Sequence, residues 1–240
     1  MYYYVTDKVF LKRAQNCCSS LMKELEEELR QNGINTQFFL VGSGARNMVT
    51  QNENGPIDFD YNLNLLSYDD DWDCRAIKME VIKAFNQVMR RNNLSDVDDS
   101  RSSITTKPIY FTDRKDIEFS MDVCIVAKDD NGNWNRLIHE KNGYDFYNHR
   151  YFWNIAPNSK DYSDKARKIK EVPGYWEKVR EFYIKIKNKY LRENDYNHPS
   201  FICYIEAIND VYNLMSARGI YTIKPDYFKE KGKPRKICLR

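Results

Sequence analysis

Apolar residues recur at every third or fourth position over residues 7–32, which is the spacing of an amphipathic helix. Asp7 precedes this pattern as a candidate N-cap, and Gly33 follows it as a candidate left-handed residue. Over residues 57–66, apolar and polar residues alternate instead, as they do in a strand with one buried face. The pattern therefore predicts a helix followed by a half-buried strand.

The rest of the pattern predicts strands and helices up to about residue 157 and only helices after it. Strands are predicted at 36–42, 103–111, 117–128 and about 134–140, and helices from Asp69–Asp73 to about Arg91, at 162–192 and at 200–217. Turns are predicted at Ser43–Asn47, 54–56 and 130–133, and residues 144–157 are predicted to be irregular. We therefore expect an α/β (α+β) domain over 1–157 and a helical, basic C-terminal region over 158–240.

Composition narrows the class of protein. The 240 residues carry a formal net charge of +3 and a mean hydropathy of −0.76. No apolar run is long enough to span a membrane and no signal-peptide pattern is present, so we expect no membrane partner and a cytoplasmic location. Six cysteines without CxxC spacing predict free thiols rather than a zinc site or a disulfide framework.

Three acidic residues lie on predicted strands. Asp58 and Asp60 are two positions apart, so both carboxylates point to the same face of their strand. Asp122 lies on a later strand between Met121 and Val123, both of which point to the opposite face. Carboxylates that converge on neighbouring strands repel one another unless a cation lies between them. This pattern predicts a site for a hard divalent cation, Mg²⁺ or Mn²⁺.

The strand before Asp58 ends in small residues, Val41–Gly42–Ser43–Gly44. Small residues at this point let backbone N–H groups approach and bind a phosphate. Arg46 follows as a candidate phosphate contact, and an ion pair elsewhere is an equally good explanation for it. A phosphate-binding turn next to carboxylates that hold a metal is suited to displacement at phosphorus.

The three motifs together resemble those of the DNA polymerase β-like nucleotidyltransferase superfamily. They are Val41–Gly42–Ser43, then Asp58–Phe59–Asp60–Tyr61, then Met121–Asp122–Val123, in that order along the chain. Fourteen residues separate the first motif from the second, which is longer than the gap of roughly ten that is usual in this superfamily. The resemblance covers about residues 36–126 and implies a nucleotidyltransferase-type mixed sheet that is flanked by helices.

The resemblance also implies an activity. Gly42 and Ser43 would hold the triphosphate of a nucleoside triphosphate, and Asp58, Asp60 and Asp122 would bind two metal ions. An acceptor hydroxyl would attack the α-phosphorus, and pyrophosphate would leave. The acceptor itself stays open, because a small molecule, a nucleotide, an RNA and a protein are all used within the superfamily.

Two other functions stay open at this point. The chain is also consistent with a non-catalytic nucleotide-binding or regulatory module of the same fold. A third possibility is a nucleic-acid-binding protein that uses the basic residues of 162–192 and of the tail 224–240. Against this, Trp176, Val179 and Tyr183 fall on one face of the predicted basic helix, which favours packing over nucleic-acid binding.

Overall fold

The computed structural model describes residues 1–69, 71–141, 148–155, 160–195 and 198–220. The chain divides into two compact units, Met1–Asn158 and Ser159–Arg240. The first unit contains β1 (Tyr2–Tyr4), α1 (Lys8–Gln31), β2 (Asn35–Leu40), α2 (Gly42–Ala45), β3 (Thr50–Asn52), β4 (Ile57–Ser67), α3 (Cys74–Arg91), β5 (Asp98–Asp99), β6 (Ile104–Thr105), β7 (Ile109–Phe111), β8 (Arg114–Lys128), β9 (Trp134–Glu140) and β10 (Arg150–Ile155). The second contains α4 (Lys160–Lys170), α5 (Tyr175–Arg192) and α6 (Ser200–Ala217).

A mixed sheet forms the centre of the first unit, in the strand order β10-β9-β8-β4-β2. The central pair β4–β8 is parallel, whereas β2–β4, β8–β9 and β9–β10 are antiparallel. The short strands β6 and β7 also pair with β8, and β5 pairs with β6. The expectation of an α/β fold with a mixed sheet flanked by helices is confirmed.

Alternation along β4 and β8 separates an apolar face of the sheet from a polar one. Ile57, Phe59 and Tyr61 of β4 are buried, as are Phe119 and Met121 of β8. Helices α1 and α3 contribute their apolar faces to the same core cluster. The opposite face of these strands carries the acidic residues, so the burial that stabilises the sheet also directs the carboxylates away from the core.

The ends of α1 follow the predicted capping pattern. The side chain of Asp7 accepts a hydrogen bond of 2.8 Å from the N–H of Phe10, which satisfies one of the unpaired donors of the first turn. Gly33, just beyond the helix, has a φ of +82°, in the left-handed region that favours glycine. Asn32, rather than Gly33, is the C-cap residue.

A glutamate of α1 covers the outer edge of the sheet. Strand β2 is the last strand on its side, so the N–H groups along its outer edge have no strand partner in the described residues. The side chain of Glu26 accepts a hydrogen bond of 2.7 Å from the N–H of Phe38. Burial raises the pKa of this carboxyl above its ordinary value.

Several predicted elements of the first unit have different bounds. The predicted strand 103–111 is wrong, because this stretch holds two short strands, β6 and β7, that pair with different parts of β8. Part of the segment predicted to be irregular is a strand, β10. The helix after β4 begins at Cys74 with Asp73 as its only acidic cap, so the earlier acids of the Asp69–Asp73 run precede the helix. Asp70 lies outside the described residues.

The second unit holds three helices. The single basic helix predicted over 162–192 is wrong, because α4 ends at Lys170 and α5 begins at Tyr175. Pro173 lacks an N–H donor, and Gly174 adopts a φ of +80°, so the helix cannot continue through this pair. Helix α6 packs on both α4 and α5. The basic tail 224–240 lies outside the described residues.

Two further expectations concern the membrane and the cysteines. Among the described helices, none combines the length and the apolar character that crossing a bilayer requires. The cysteines within the described ranges are free thiols, as expected. They are Cys17, Cys18, Cys74, Cys124 and Cys203.

Candidate active site

The structure brings two of the sequence-predicted carboxylates directly opposite each other. In the parallel β4–β8 pair, Asp60 faces Asp122 and Asp58 faces Ser120. Paired residues on adjacent strands project to the same face of a sheet, so all three carboxylates lie on the polar face. Their positions follow from the alternation of each strand and from the parallel register.

Asp60 is the carboxylate with the most perturbed ionisation. Its pKa is raised to about 6, first by burial and then by the negative charges of Asp122 and Asp58. Arg46 and Arg136 act in the opposite direction, because a nearby positive charge favours the ionised form. A carboxylate that is destabilised in this way is a site where a cation or a proton binds favourably.

Hydroxyl groups orient the other two carboxylates. The Oγ of Ser120 donates a hydrogen bond to Oδ1 of Asp58. Oδ1 of Asp122 accepts hydrogen bonds from Oγ1 of Thr105 and, at 3.4 Å, from Oγ of Ser103. Sequence reasoning did not identify these hydroxyls, since Thr105 and Ser103 become neighbours of Asp122 only through the pairing of β6 with β8.

The small-residue turn after β2 lies against Asp60. The predicted turn begins as the short helix α2, and the backbone N–H of Val41 donates a hydrogen bond of 2.8 Å to the carbonyl oxygen of Asp60. Gly42 has a φ of +61°, and a Cβ atom at this position would overlap the Asp60 carboxylate. Only glycine combines this backbone conformation with such a close approach.

Two side chains of this turn have different environments. The half-buried hydroxyl of Ser43 has no hydrogen-bond partner within the described residues, so it is available to a ligand. Arg46 donates a hydrogen bond of 2.7 Å from Nη1 to the carbonyl oxygen of Gly42. Its guanidinium therefore stabilises the turn and also lowers the pKa of Asp60, in addition to any contact with phosphate.

Sequence reasoning missed one cation of the site. Arg136 lies on β9 opposite Val126 of β8, so it shares the polar face with Asp122. Burial raises the pKa values of Asp60 and Cys124, and the positive charge of Arg136 offsets part of that rise in both. The signal was present in the alternation of β9, but the pairing of β9 with β8 was needed to place Arg136 beside these groups.

The side chains at the predicted metal site can be compared with the ligands that a metal ion needs. Within the described ranges, no three His, Cys, Asp or Glu side chains lie close enough together to hold a metal ion. Asp58 is instead hydrogen-bonded to Ser120, and Asp122 to Thr105. Mg²⁺ in phosphate-binding sites is usually held by one or two carboxylates together with substrate oxygens, and the facing pair Asp60–Asp122 fits that chemistry. The two-ion centre stays a prediction.

Similarity to known proteins is detectable only at the level of the fold. No protein-family model matches the chain, and no curated protein matches it by sequence. Among solved structures, CdnC of E. coli MS115-1 with ATP is 15% identical, with a TM-score of 0.50 over 85% of this chain and 61% of that one. Thus, the chain spans less than two thirds of CdnC.

Two other structures are similar to the same degree. The Elizabethkingia meningoseptica CdnE cyclic dinucleotide synthase with GTP and Apcpp is 17% identical, with a TM-score of 0.50 over 83% of this chain and 69% of that one. The 3'-deoxy ATP bound form of Vibrio cholerae DncV is 13% identical, with a TM-score of 0.50 over 87% of this chain and 53% of that one. These likenesses show that the chain has a nucleotidyltransferase-type fold.

Proposed function

We propose that this protein is a metal-dependent nucleotidyltransferase that moves a nucleoside monophosphate from a nucleoside triphosphate to an acceptor hydroxyl. The observation that carries the proposal is the close approach of the Gly42 turn to Asp60, which itself faces Asp122. A turn suited to phosphate lies here against carboxylates suited to a metal. The fold that the chain shares with CdnC, which was solved with ATP, supports the same assignment.

The residues of the turn bind the donor in this proposal. The hydroxyl of Ser43, which no described residue bonds, and the backbone N–H groups of α2 donate hydrogen bonds to the triphosphate. Arg46 holds the turn in place through the carbonyl oxygen of Gly42. The positive charges of Arg46 and Arg136 partly offset the charge that the carboxylates and the triphosphate bring together.

The carboxylates prepare the reacting groups. Asp60 and Asp122, together with oxygens of the triphosphate, would hold Mg²⁺ or Mn²⁺, which when bound would supply charge neutralisation and alignment of the attacking and leaving oxygens. Asp122 has its Oδ1 engaged by Thr105, so Oδ2 is the oxygen that takes the proton of the acceptor hydroxyl. The new bond joins the acceptor oxygen to the α-phosphorus, the bond from that phosphorus to the bridging oxygen breaks, and pyrophosphate leaves.

The acceptor is proposed by class only. Because the similar CdnE is a cyclic dinucleotide synthase, the hydroxyl of a second nucleotide is the first acceptor to test. A small molecule, an RNA and a protein remain the other acceptors to screen. The non-catalytic alternative predicts triphosphate binding without release of pyrophosphate with any of them.

The proposal is tested by incubating the protein with each of the four nucleoside triphosphates, singly and in pairs, with Mg²⁺, Mn²⁺ or EDTA. We expect release of pyrophosphate that requires the metal and is lost in Asp60→Asn. The control variant is Asp113→Asn, which makes the same chemical change at an exposed carboxylate paired with Arg13. Transfer that persists in Asp60→Asn would exclude the proposed site.

A further inference from the structure

A buried charged cluster lies outside the candidate active site. It consists of Lys78 on α3, Asp99 on β5 and His139 on β9. The side chain of Lys78 is only 2% exposed, and its Nζ lies 2.7 Å from Oδ1 of Asp99. The Nδ1 of His139 lies 2.6 Å from the other carboxylate oxygen, Oδ2, and donates to it, since an ionised carboxylate only accepts. Side chains from two other elements therefore engage both oxygens of Asp99.

The same two partners also bind the backbone next to Asp99. In addition to its ion pair with Asp99, Lys78 donates a hydrogen bond of 2.7 Å from Nζ to the carbonyl oxygen of Ser100. The backbone N–H of His139 donates one of 2.7 Å to the carbonyl oxygen of Arg101. Asp99, Ser100 and Arg101 belong to a hairpin formed by β5, β6 and the residues that connect them, which we call the 98–105 hairpin. One end of this hairpin is thus held by α3 and β9.

The other end of the hairpin contacts the candidate active site. Thr105 pairs with Asp122 across β6 and β8, and its hydroxyl donates to the Asp122 carboxylate. Directly after the hairpin, the N–H of Thr106 donates to the carbonyl oxygen of Met121 at 3.0 Å. The hydroxyl of Thr106 accepts from the N–H of Met121 at 2.9 Å. The hairpin therefore fixes the position from which Thr105 donates to Asp122.

A buried ion pair is a poor source of net stability, because the cost of removing both charges from water offsets most of their attraction. It does hold its members at defined distances and angles when hydrogen bonds satisfy them. We infer that the Lys78–Asp99–His139 cluster positions Asp122 for the reaction, acting through the 98–105 hairpin and the Thr105 hydroxyl. This inference rests on the proposed function, because it assigns the cluster a role in that reaction.

The first test measures transfer kinetics in two variants of the cluster. Asp99→Asn removes the charge, and Lys78→Met/Asp99→Leu replaces the ion pair by apolar side chains, which avoids a buried ammonium without a partner. Loss of a group that orients a reacting carboxylate is expected to lower kcat about 10–100-fold. The KM for the triphosphate is expected to stay within about twofold, because the turn that binds the donor is untouched. Unchanged kcat in both variants would overturn the inference.

A control variant separates positioning from general destabilisation. Met89 lies on the same helix as Lys78 and is 1% exposed, but it belongs to the apolar core and is not part of the cluster. Met89→Ala is expected to lower the melting temperature while kcat per folded molecule stays unchanged. A fall in kcat of the same size in this variant would show that the cluster contributes only stability.

A double-mutant cycle tests the route through Thr105. Thr105→Val removes the hydroxyl, and Thr105→Ser, which retains it, is expected to restore most of the kcat that Thr105→Val loses. If the cluster acts through this hydroxyl, adding Asp99→Asn to Thr105→Val lowers kcat no further, since the two changes then remove one shared effect. If the two substitutions instead lower kcat independently, so that their factors multiply in the double variant, the proposed route is contradicted.

A readout that does not depend on activity is hydrogen exchange at the Thr106 amide. We expect this amide to exchange faster in Asp99→Asn than in the wild type, relative to the amides of β4, and not in Met89→Ala. Unchanged exchange in Asp99→Asn would overturn the inference even if transfer is found. If the wild type shows no transfer but the amide responds as expected, the proposed function fails and the cluster still determines the position of the hairpin.

Discussion

At the scale of single residues, the site depends on a carboxylate whose charge the fold disfavours. Asp60 is largely removed from water and lies beside two other acids, and both effects raise its pKa to about 6. Protonation of Asp60 is therefore more favourable in the folded protein than in the unfolded chain. In the proposed function a cation binds the ionised form of Asp60, so cation binding and folding stability favour opposite protonation states of this residue.

This opposition predicts how stability depends on pH. The pKa of Asp60 is raised on folding, so its contribution to stability is complete below about pH 4 and is lost as the pH rises through about 6. Asp60→Asn, which stays neutral, should therefore gain stability over the wild type across this range, by roughly 2–3 kcal/mol at pH 7.5. Urea unfolding in EDTA at pH 4 and pH 7.5 measures the difference. A gain that is equal at both pH values would contradict the pKa assigned to Asp60.

At the scale of elements, the α2 turn shows how a short run of small residues can leave room for the side chain of a neighbouring strand. It begins where β2 ends, its first residue needs a positive φ, and the Asp60 carboxylate occupies the space that a side chain would fill. The turn and the carboxylate of β4 thus form one unit. A side chain added at Gly42 would overlap this carboxylate.

Gly42→Ala is expected to reduce transfer on the order of 100-fold, because the added methyl group displaces the Asp60 carboxylate from its position. Gly132→Ala is the matched control. Gly132 also has a positive φ, of +76°, but an added Cβ there meets no atom within 4 Å. Both variants should lose about 1–2 kcal/mol of stability from backbone strain, and only the first should lose transfer. Equal activity in the two variants would refute the steric explanation.

Much of the element pattern was predictable, because burial imposes a period on the sequence. The strand over 57–66 and the helix over 7–32 are found within about one residue of their predicted bounds, since each has one continuous apolar face. The 98–105 hairpin was not predictable in this way. Its strands are two residues long, and its structure depends on Lys78 and His139, which are distant in sequence.

The candidate site was likewise predictable only where it depends on residues that are close in sequence. The alternation of β4 places Asp58 and Asp60 on one face, but the register that sets Asp60 opposite Asp122 comes from strand pairing. The hydroxyl of Thr105 and the charge of Arg136 enter the site only through neighbouring strands. A single sequence reveals the residue types of such a site and their order, and tertiary pairing supplies their partners.

At the scale of the whole molecule, the central sheet of the first unit is open over the residues that the structure describes, with β2 and β10 at its two ends. An open sheet presents unpaired backbone groups to other chains, which makes its edges the natural points for association between molecules. On the β2 side, the bond from the Phe38 N–H to Glu26 occupies one of these groups. The side chain of a helix thus closes part of the edge without adding a strand.

Glu26→Ala is expected to increase self-association, because it frees the Phe38 N–H on an edge that also carries Phe39, which is 44% exposed. Glu27→Ala makes the same change in charge at the next, exposed position and serves as the control. Sedimentation velocity over a range of concentrations measures the effect. Equal sedimentation of the two variants would show that Glu26 does not protect the edge.

Because the Glu26 carboxyl covers part of the β2 edge, the tendency of the protein to aggregate should depend on pH. Burial raises the pKa of Glu26, so this group takes up a proton in weaker acid than an ordinary glutamate does. Protonation weakens its hold on the Phe38 N–H, since a neutral carboxyl is a poorer acceptor than a carboxylate. Mild acid should therefore produce turbidity while the fold is still intact, and a neutral buffer should be chosen to concentrate or store the protein.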